Sequence, residues 1–393
     1  MPEKLKNRSV LLGVSGGVAA YKTVELVRRL TDEGASVKVI LTEAASSFIT
    51  PLSLEIASRN KVYTSLFEEP LAHIDLPLKA DVMVIAPATA NIIAKFAHGI
   101  ADDLLSTCLL SYQGKTVIAP SMNWKMYENP VFQGNLEKVK SLGVLQVGPA
   151  KGSLACGEEG LGRLAEISEI VDAVISAVSR KDLAGENIIV TAGPTREYID
   201  PVRFISNRSS GKMGYALARA ARDRGASVTL ISGPSALEKP FGLRLIQVET
   251  SDEMLGALAE ETGADSTLLI MSAAVADFRP QERFGTKLEK SDSVLTLHKT
   301  EDIVSHITGK KNRPFVIGFA AETGRKIERA EEKMKKKNMD MIVFNDVSEP
   351  GAGFEGDTNR VVIIDKKGRL ETGLHSKDVI SDIILNRFIE NKS

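Results

Sequence analysis

Cysteine is scarce in this chain of 393 residues, which contains only Cys108 and Cys156. Two cysteines so far apart in the sequence cannot build a disulfide framework, so we expect a reducing, cytoplasmic compartment. The five histidines show no close metal-ligand spacing, and no C-x-x-C pair is present. A zinc site is therefore not expected.

A charge excess and long apolar runs are also missing. The formal net charge is -1, which argues against broad nucleic-acid binding but leaves room for a local basic site that holds a small anion. The first apolar segment is interrupted at Ser15-Gly16-Gly17, so we expect neither a signal peptide nor a membrane span. The length exceeds that of one ordinary domain and predicts two or three.

Two β-loop-α-β units occur in the same arrangement in the two halves of the chain. Each unit begins with a short apolar strand and a glycine-containing turn. A helix with apolar residues at helical spacing follows, and a second strand comes after it. These strand pairs are Ser9–Gly13 with Gly34–Thr42, and Asn187–Thr191 with Gly225–Gly233. This order opens a doubly wound α/β sheet. We therefore predict two Rossmann-like parallel-sheet domains, 1–181 and 182–393, with the boundary in the polar segment Arg180–Asn187.

Five further apolar segments end in small or polar residues, as strands do where they run into loops. They are Ala80–Ala90, Lys115–Asn123, Ser266–Phe278, Pro314–Thr323 and Met339–Val347. Ligands of open α/β sheets bind outside the carboxyl ends of the strands. The loops after these strands are therefore the candidate sites.

Polar residues at three of the predicted strand ends in the first half suit a phosphate or a flavin. Gly16 and Gly17 let the backbone approach a phosphate at a helix start, although a tight strand-to-helix turn explains them equally well. Thr89 and Asn91 can bond a phosphate or a flavin ring. Asn123 can hold a carboxylate, and the alternative is an asparagine that forms a turn before a helix.

The stretch "SLACGEEGLGR", Ser153–Arg163, places Cys156 among glycines. The thiol could be a nucleophile, a metal ligand, an acid or an accident of composition. No second ligand lies at metal spacing, and no histidine neighbours it in sequence to make a thiolate. The glycines suit a flap that closes over a substrate, and a thiol on such a flap suits an acid better than a nucleophile.

The first half resembles the family of flavin-dependent cysteine decarboxylases in "SGGVAAYK", "AHIDLP", "PSMNWKM" and "KGSLACGEEGLGR". The resemblance implies a flavodoxin-like domain that binds FMN. His73 would be the base or a steering group, Asn123 would orient the carboxylate and Cys156 would be the acid. The implied FMN contacts are Gly16, Gly17, Val18, Thr42, Thr89, Asn91, Ser121 and Met122. Where the family often has threonine, this chain has Ile92.

The chemistry that this resemblance implies is reasonable for a cysteine amide with a free carboxylate. Oxidation of the thiol to a thioaldehyde by FMN supplies an electron sink, after which CO2 leaves. The hydride returns and an acid protonates the remaining ene-thiol, so the net reaction is not an oxidation.

Basic and phosphate-binding features recur in the second half. The segment Ile205–Ala221 opens a helix with Ser209, Ser210 and Gly211, which favours a phosphate but matches neither G-x-G-x-x-G nor a P-loop. Lys333 and Lys337 lie four residues apart on one predicted helix face, where the plain alternative is a solvated surface.

The second half resembles phosphopantothenate–cysteine ligase in "TAGPTREYIDPVRFISNRSSGKMG", "SAAVADFRP" and "GFAAET", so the whole chain is similar to the bifunctional family of coenzyme A biosynthesis. The resemblance implies a C-terminal nucleotide-binding domain that activates phosphopantothenate with CTP and Mg²⁺ as an acyl-cytidylate, which cysteine then displaces. Asn207 would hold the acyl-cytidylate and Arg203 would line the same site. The implied CTP contacts are Ala273, Asp277, Lys287, Glu301, Asp302, Ile303, Phe319, Lys333 and Lys337.

Two departures from the ligase pattern affect the nucleotide site. The family's Asn-Pro-Asp-Ile is Thr300-Glu301-Asp302-Ile303 here, which adds a negative charge, and Glu289 stands where a basic residue is commoner. The alternatives are a non-catalytic flavin- or nucleotide-binding regulator and an enzyme with one active half. The resemblance also implies a homo-oligomer, a dodecamer built from trimers of the flavin half and dimers of the ligase half.

Overall fold

The computed structural model describes residues 3–153, 157–263, 265–289, 294–324, 326–348, 351 and 356–392. The chain divides into two compact units, Met1–Ser179 and Arg180–Ser393. Each unit has its own sheet and its own apolar core. Within the described residues, none of the helices combines the length and the apolar character that a membrane span requires.

The first unit contains a six-stranded parallel sheet in the order β3-β2-β1-β4-β5-β6. Its strands are β1 Ser9–Val14, β2 Ser36–Leu41, β3 Val62–Tyr63, β4 Val82–Ala88, β5 Lys115–Pro120 and β6 Leu145–Gln146. All seven residues of β4 are buried, as in a parallel strand that is covered on both faces. The chain crosses from one side of β1 to the other between β3 and β4, so the loops after β1 and β4 diverge and leave a crevice.

Nine helices and one hairpin complete the first unit within the described residues. The helices are α1 Thr23–Asp32, α2 Glu43–Ser46, α3 Pro51–Ser58, α4 Ala72–Leu78, α5 Ala90–His98, α6 Leu104–Ser111, α7 Trp124–Tyr127, α8 Pro130–Ser141 and α9 Ile167–Val178, and the hairpin pairs β7 Ala150–Ser153 with β8 Glu159–Arg163. Local sequence fixes several starts. Thr50 caps α3 ahead of Pro51, and Asp103 forms a capping box with Ser106 at α6.

The second unit contains an eight-stranded sheet in the order β13-β12-β9-β14-β17-β18-β20-β21. These strands are β9 Asn187–Ala192, β12 Ser227–Ser232, β13 Arg244–Gln247, β14 Leu268–Met271, β17 Phe315–Glu322, β18 Met341–Asp346, β20 Val361–Asp365 and β21 Gly368–Glu371. The predicted parallel arrangement is confirmed for six of them. The last two, which we did not predict, form an antiparallel hairpin on β18. This hairpin turns at Gly368, whose φ of 107° suits glycine.

Helices cover both faces of this sheet, and three short antiparallel strand pairs form separate two-stranded sheets within the described residues. The helices are α10 Lys212–Asp223, α11 Ser251–Glu261, α12 Ile303–Thr308, α13 Ile327–Lys336 and α14 Lys377–Lys392, and the short pairs are β10 Arg196–Tyr198 with β11 Phe204–Ser206, β15 Phe278–Pro280 with β16 Leu297–Lys299, and β19 Thr358–Asn359 with β22 His375–Ser376. On one face α10 and α14 contribute Leu217 and Ile384 to the core. On the other, α11 and α13 contribute Leu258 and Ala330.

Candidate active sites

A cavity of about 1180 Å³ opens in the first unit at the carboxyl ends of β1, β4 and β5, and β8 forms one wall. All eight residues expected to contact a flavin line it: Gly16, Gly17, Val18, Thr42, Thr89, Asn91, Ser121 and Met122. The predicted strand ends therefore meet at one place, although the individual contacts stay predictions. Ile92, the departure from the decarboxylase pattern, also lines the cavity but is 3% exposed and packs in the core.

Hydrogen bonds of Ser15 shape the loop after β1. Its Oγ donates to Pro87 O at 2.7 Å and accepts from Thr89 N at 3.0 Å, which joins the β1 and β4 loops. A Cβ on Gly16 would lie 2.4 Å from the Cβ of Ala44, whereas the nearest atom to a Cβ on Gly17 is at 3.4 Å. Close approach of helix α2 therefore requires glycine at position 16 and not at position 17.

Asn123 lines the same cavity and also caps the short helix α7, where its Oδ1 accepts from Lys125 N at 2.9 Å. The cap at the start of a helix is therefore observed, and it fixes the side chain at the cavity wall, whereas the role of holding a carboxylate stays a prediction. The carboxylate of Glu158 reaches it from the β7–β8 hairpin and bonds Trp124 Nε1 at 2.7 Å and Lys125 Nζ at 3.0 Å. Hydrogen bonds from Lys125, Trp124 and Asn123 lower the pKa of Glu158.

The hairpin and the loop after β5 are also joined through their backbones. Met122 N donates to Gly162 O at 2.9 Å. A Cβ on Gly162 would lie 2.1 Å from Met122 O, so this contact requires a glycine. The glycines of the "GEEGLGR" stretch therefore allow the hairpin to lie directly against the cavity wall.

Two more residues, Cys156 and His73, are expected to act in decarboxylation. Cys156 lies outside the described residues. His73 is on α4, half-buried, with its carbonyl accepting from Ser111 Oγ at 2.8 Å, and it does not line the cavity. Both roles stay predictions.

A second cavity of about 940 Å³ lies in the second unit at the carboxyl ends of β14, β17 and β18. Among the described lining residues, seven are basic and three are acidic: Arg208, Lys212, Lys299, Lys333, Lys336, Lys337 and Lys377 against Asp277, Glu301 and Asp302. Such a lining attracts anions. Asn207 and eight of the nine predicted nucleotide contacts are there, namely Ala273, Asp277, Glu301, Asp302, Ile303, Phe319, Lys333 and Lys337.

Lys333 of α13 and Lys337, the residue after its end, line this cavity rather than facing solvent alone. Lys333 Nζ donates to Phe319 O at 3.4 Å, and Lys337 Nζ is 2.9 Å from Asp302. Burial lowers the pKa of Lys333 and the nearby charge of Lys337 lowers it further, while Asp277 and Asp302 act in the opposite direction. A solvated surface therefore does not describe these two lysines.

Hydrogen bonds position the remaining predicted side chains of this cavity. Asn207 Nδ2 donates to Val275 O at 2.8 Å, which holds the loop before α10 against the loop after β14. Glu301, the added negative charge, has its Oε1 2.9 Å from Nδ1 of His306. The carboxylate that departs from the family pattern thus has a hydrogen-bond partner on α12.

Lys287 and Arg203 do not line the second cavity, and Leu288, the residue after Lys287, bonds to both Asp200 and Arg203. Asp200, which is 0% exposed, accepts from the N–H of Val202 and of Arg203 at 2.8 Å each and from Leu288 N at 3.2 Å. Arg203 donates from Nε to Asp200 and from Nη2 to Leu288 O at 2.8 and 2.6 Å. Burial raises the pKa of Asp200, but these donors outweigh it and hold the pKa well below its usual range.

Comparison with known proteins covers both units. Residues 1–179 match the family model described as Flavoprotein, and residues 183–391 match that of the DNA/pantothenate metabolism flavoprotein C-terminal domain. The coenzyme A biosynthesis bifunctional protein CoaBC of Vibrio cholerae serotype O1 is 44% identical over 393 residues, 98% of this chain and 98% of that protein. The protein of that name from Bacillus subtilis (strain 168) is 45% identical over 97% of this chain and 96% of its own.

This chain belongs to the family of coenzyme A biosynthesis bifunctional proteins. Among solved structures, the C-terminal domain of a coenzyme A biosynthesis bifunctional protein CoaBC is 40% identical, covers 53% of this chain and 96% of that chain, and has a TM-score of 0.46. The first unit is a flavoprotein domain, because residues 1–179 match the Flavoprotein family model.

The residues of the first cavity fit a flavin. The volume accommodates a ring system with a phosphate tail. Hydroxyls of Ser15, Thr42, Thr89 and Ser121 stand at the strand ends, and the glycine loop allows close backbone approach to a phosphate. Within the described part of the chain, no group of three or more His, Cys, Asp or Glu side chains could hold a metal ion.

Sequence reasoning missed several residues of both cavities. Lys95 lines the first cavity and bridges Asp102 and Asp103 at 2.7 and 2.8 Å. Asp102 and Asp103, an acidic pair directly before a helix start, could have indicated an ion pair, but no sequence pattern pointed to Lys95 on the preceding helix. Lys377 of the second cavity was also missed, as was Glu158, which bonds Trp124 and Lys125 beside the first cavity. Neither stands in a spacing that predicts a contact across the fold.

Proposed function

We propose that this chain catalyses two steps of coenzyme A biosynthesis, with phosphopantothenate, cysteine and CTP as small-molecule substrates. Residues 182–393 couple phosphopantothenate to cysteine, and residues 1–181 decarboxylate the product to phosphopantetheine. The observation that carries this proposal is that the family identity extends over both units while each unit has its own large cavity at the carboxyl ends of its sheet. The scarcity of cysteine supports a cytoplasmic location.

The coupling step needs activation, because a carboxylate is unreactive toward an amine. The carboxylate oxygen of phosphopantothenate attacks the α-phosphorus of CTP, and the bond to pyrophosphate breaks. The amine of cysteine then attacks the acyl carbon, CMP leaves with the bonding electrons, and the amine loses a proton to solvent. The excess of basic residues in the second cavity supports a site for these polyanions. Mg²⁺ would enter with the nucleotide, held mainly by phosphate oxygens.

Individual residues have separate tasks in this step. We assign Asn207 to binding of the acyl-cytidylate, and its hydrogen bond from Nδ2 to Val275 O, which holds its loop at the cavity, supports this role. Lys333 of α13 and Lys337, which follows this helix, contribute positive charge. We assign Lys287 and Arg203 to the cavity of a second copy, because they lie outside the cavity of their own unit. The nearby exposed apolar residues Val202, Phe204, Phe278 and Leu297 support a dimer contact there.

The decarboxylation step belongs to the first cavity, with FMN as the flavin. When bound, FMN supplies reversible two-electron oxidation of the substrate thiol, which creates the electron sink for loss of CO2. Asn123 orients the substrate carboxylate from the start of α7. Cys156 donates the proton to the ene-thiol carbon, and the hydride that the bound flavin would return completes the reduction to the product thiol.

His73 acts, in this proposal, at the cavity of a neighbouring copy. Helix α4 presents a row of exposed apolar side chains beside it, with Leu71 63%, Ile74 45% and Leu78 79% exposed. A row of this kind is expected where copies of a chain pack together. Trimers through the first unit and dimers through the second would build the dodecamer.

The test supplies the full chain with phosphopantothenate, cysteine, CTP and Mg²⁺. We expect stoichiometric pyrophosphate followed by CO2, with ATP as the comparison nucleotide. Pyrophosphate without CO2 would leave a ligase with an inactive first unit. The absence of both, from a chain that still binds flavin and nucleotide, would make it a binding protein and refute the proposal.

A further inference from the structure

One face of the β7–β8 hairpin lies against the loop after β5 and the start of α7. Alternate residues of a strand point to the same face, and positions 158, 160 and 162 follow this period. Gly162 O accepts from Met122 N at 2.9 Å, and a Cβ on Gly160 would lie 2.6 Å from the Cβ of Trp124. Two of the three positions are thus glycines in close contact. The third, Glu158, supplies a side chain to this contact, and the proposed function does not use it.

The carboxylate of Glu158 is bonded to the side chains of three consecutive residues. Its Oε2 accepts from Trp124 Nε1 at 2.7 Å and its Oε1 accepts from Lys125 Nζ at 3.0 Å. A hydrogen bond from the side chain of Asn123 is the third. Because both oxygens accept, the carboxylate is held in one orientation, and its charge strengthens each of these bonds.

Asn123 connects this carboxylate to the first cavity, which it lines. Its Oδ1 accepts from Lys125 N at 2.9 Å. Since an amide oxygen has no proton to give, Nδ2 is the donor toward Glu158. The group proposed to orient the substrate carboxylate and the hairpin are therefore joined through one side chain.

Glu158 is also close in sequence to the proposed acid. Cys156 precedes it by two residues, and two residues of extended chain span at most about 7 Å. Ser153, which pairs with Glu159 in the hairpin, lines the first cavity. An anchored Glu158 therefore limits how far the thiol can lie from Asn123.

The plain alternative is a surface ion pair of no consequence. The side chains of Lys125 and Glu158 are 63% and 44% exposed, and exposed pairs contribute little to stability. An ion pair alone needs neither the indole hydrogen bond of Trp124 nor the two glycines that bring β8 against α7. These additional contacts indicate a defined geometry rather than an incidental pair of charges.

We propose that Glu158 is a positioning residue for decarboxylation, which holds the hairpin on α7 and thereby keeps the proposed acid at the cavity. The inference rests on the proposed function of the first unit. Asn123 keeps its cap on Lys125 N when Glu158 is removed, so loss of CO2 should persist. Protonation of the ene-thiol carbon, which needs Cys156, should slow.

The test is a single turnover of phosphopantothenoylcysteine by the full chain loaded with FMN. Mass spectrometry measures the ratio of oxidised ene-thiol to phosphopantetheine, and CO2 release is followed in parallel. Glu158→Ala should raise this ratio about three- to tenfold and leave the initial CO2 release and the Kd of FMN within about twofold. Glu158→Gln keeps an acceptor oxygen and should lie in between. A general loss of folded protein would instead lower CO2 and phosphopantetheine together.

The matched control is Glu159→Gln, which changes an exposed carboxylate of the same hairpin outside the cavity. Amide hydrogen exchange in the flavin-free chain gives a second readout without turnover. Residues 159–163 should exchange about threefold faster or more in Glu158→Ala than in this control. Trp124→Phe, which removes the indole N–H and keeps an aromatic ring, should act in the same direction more mildly.

The two readouts separate this inference from the proposed function. If the wild-type chain releases CO2, the proposal is overturned when folded Glu158→Ala gives the product ratio of Glu159→Gln. If the wild-type chain releases no CO2, the proposed function fails, and equal exchange rates in these two variants overturn the anchor as well. Should Glu158→Ala not fold, Glu158→Gln and Trp124→Phe replace it in the same comparison.

Discussion

Gly162→Ala tests the wall that β8 gives to the first cavity. The added Cβ would lie 2.1 Å from Met122 O, and real Cβ atoms essentially never approach closer than 3.0 Å, so the shortfall is 0.9 Å (3.0 − 2.1). The neighbouring atom is backbone and cannot rotate away. Either β8 or the loop that carries Met122 and Asn123 must therefore move, and the Met122 N to Gly162 O hydrogen bond at 2.9 Å is strained or lost.

The expected cost follows from forcing an extra carbon into a packed contact, about 1–3 kcal/mol. If the whole cost falls on the form that binds FMN, the Kd rises between about fivefold and about a hundredfold. The assay is titration of flavin-free protein with FMN, followed by flavin fluorescence. CO2 release should fall with FMN occupancy, while CTP-dependent pyrophosphate release by the second unit should not change.

Gly152→Ala is the matched control, because it adds the same carbon to β7 of the same hairpin. Its nearest neighbour would be Arg163 Cδ at 3.6 Å, an ordinary contact. We expect wild-type FMN affinity from this variant. A Gly162→Ala protein that also binds FMN with the wild-type Kd and releases CO2 normally would refute the placement of the flavin against this hairpin.

Four further predictions concern the individual roles. Asn207→Ala should impair cysteine coupling and spare decarboxylation of supplied phosphopantothenoylcysteine; equal losses in the two assays would contradict its role. Asp200→Asn should raise the KM for CTP about tenfold by releasing the Lys287 loop, and have no further effect in a Lys287→Ala background, as a double-mutant cycle can show. Because the pKa of Lys333 is lowered, this lysine loses its charge at a lower pH than an ordinary lysine does, and the affinity for CTP should fall as the pH rises toward 10.5. Lys333→Arg, which keeps its charge, should abolish that fall in a pH series of Kd values. Cys156→Ser should release CO2 but accumulate the oxidised ene-thiol, detectable by mass spectrometry, with ligation intact; a normal final product would exclude the acid role.

The fold was predictable where apolar periodicity is strong. The strand expected at Ser9–Gly13 is β1, Ser9–Val14, and the one expected at Pro314–Thr323 is β17, Phe315–Glu322. The helix expected after the Gly16-Gly17 turn begins with a 3-10 turn, Val18–Lys22, before α1. Periodicity does not distinguish a 3-10 turn from the first turn of an α-helix, since both bury the small residues Ala19 and Ala20.

The candidate sites were predictable where a motif follows a strand directly. The eight flavin positions and Asn207 meet this condition and line their cavities. Lys287 carried the right charge but stands in a long loop, whose position depends on the buried carboxylate of Asp200. Lys377 opens the last helix and reaches the cavity only through the packing of α14 against the sheet. Such contacts come from tertiary packing, which spacing along one sequence does not encode.

The hydrogen bond between Trp124 Nε1 and Glu158 has a practical consequence. Trp124 is the only tryptophan of the chain, so all indole emission comes from one edge of the first cavity. Its partner carboxylate belongs to the hairpin, and Lys125 Nζ lies 5.4 Å from the ring centroid. Any movement of the hairpin changes the polarity around a single fluorophore. The native chain thus contains an intrinsic fluorescent probe of the first cavity, and the second unit contributes no tryptophan emission.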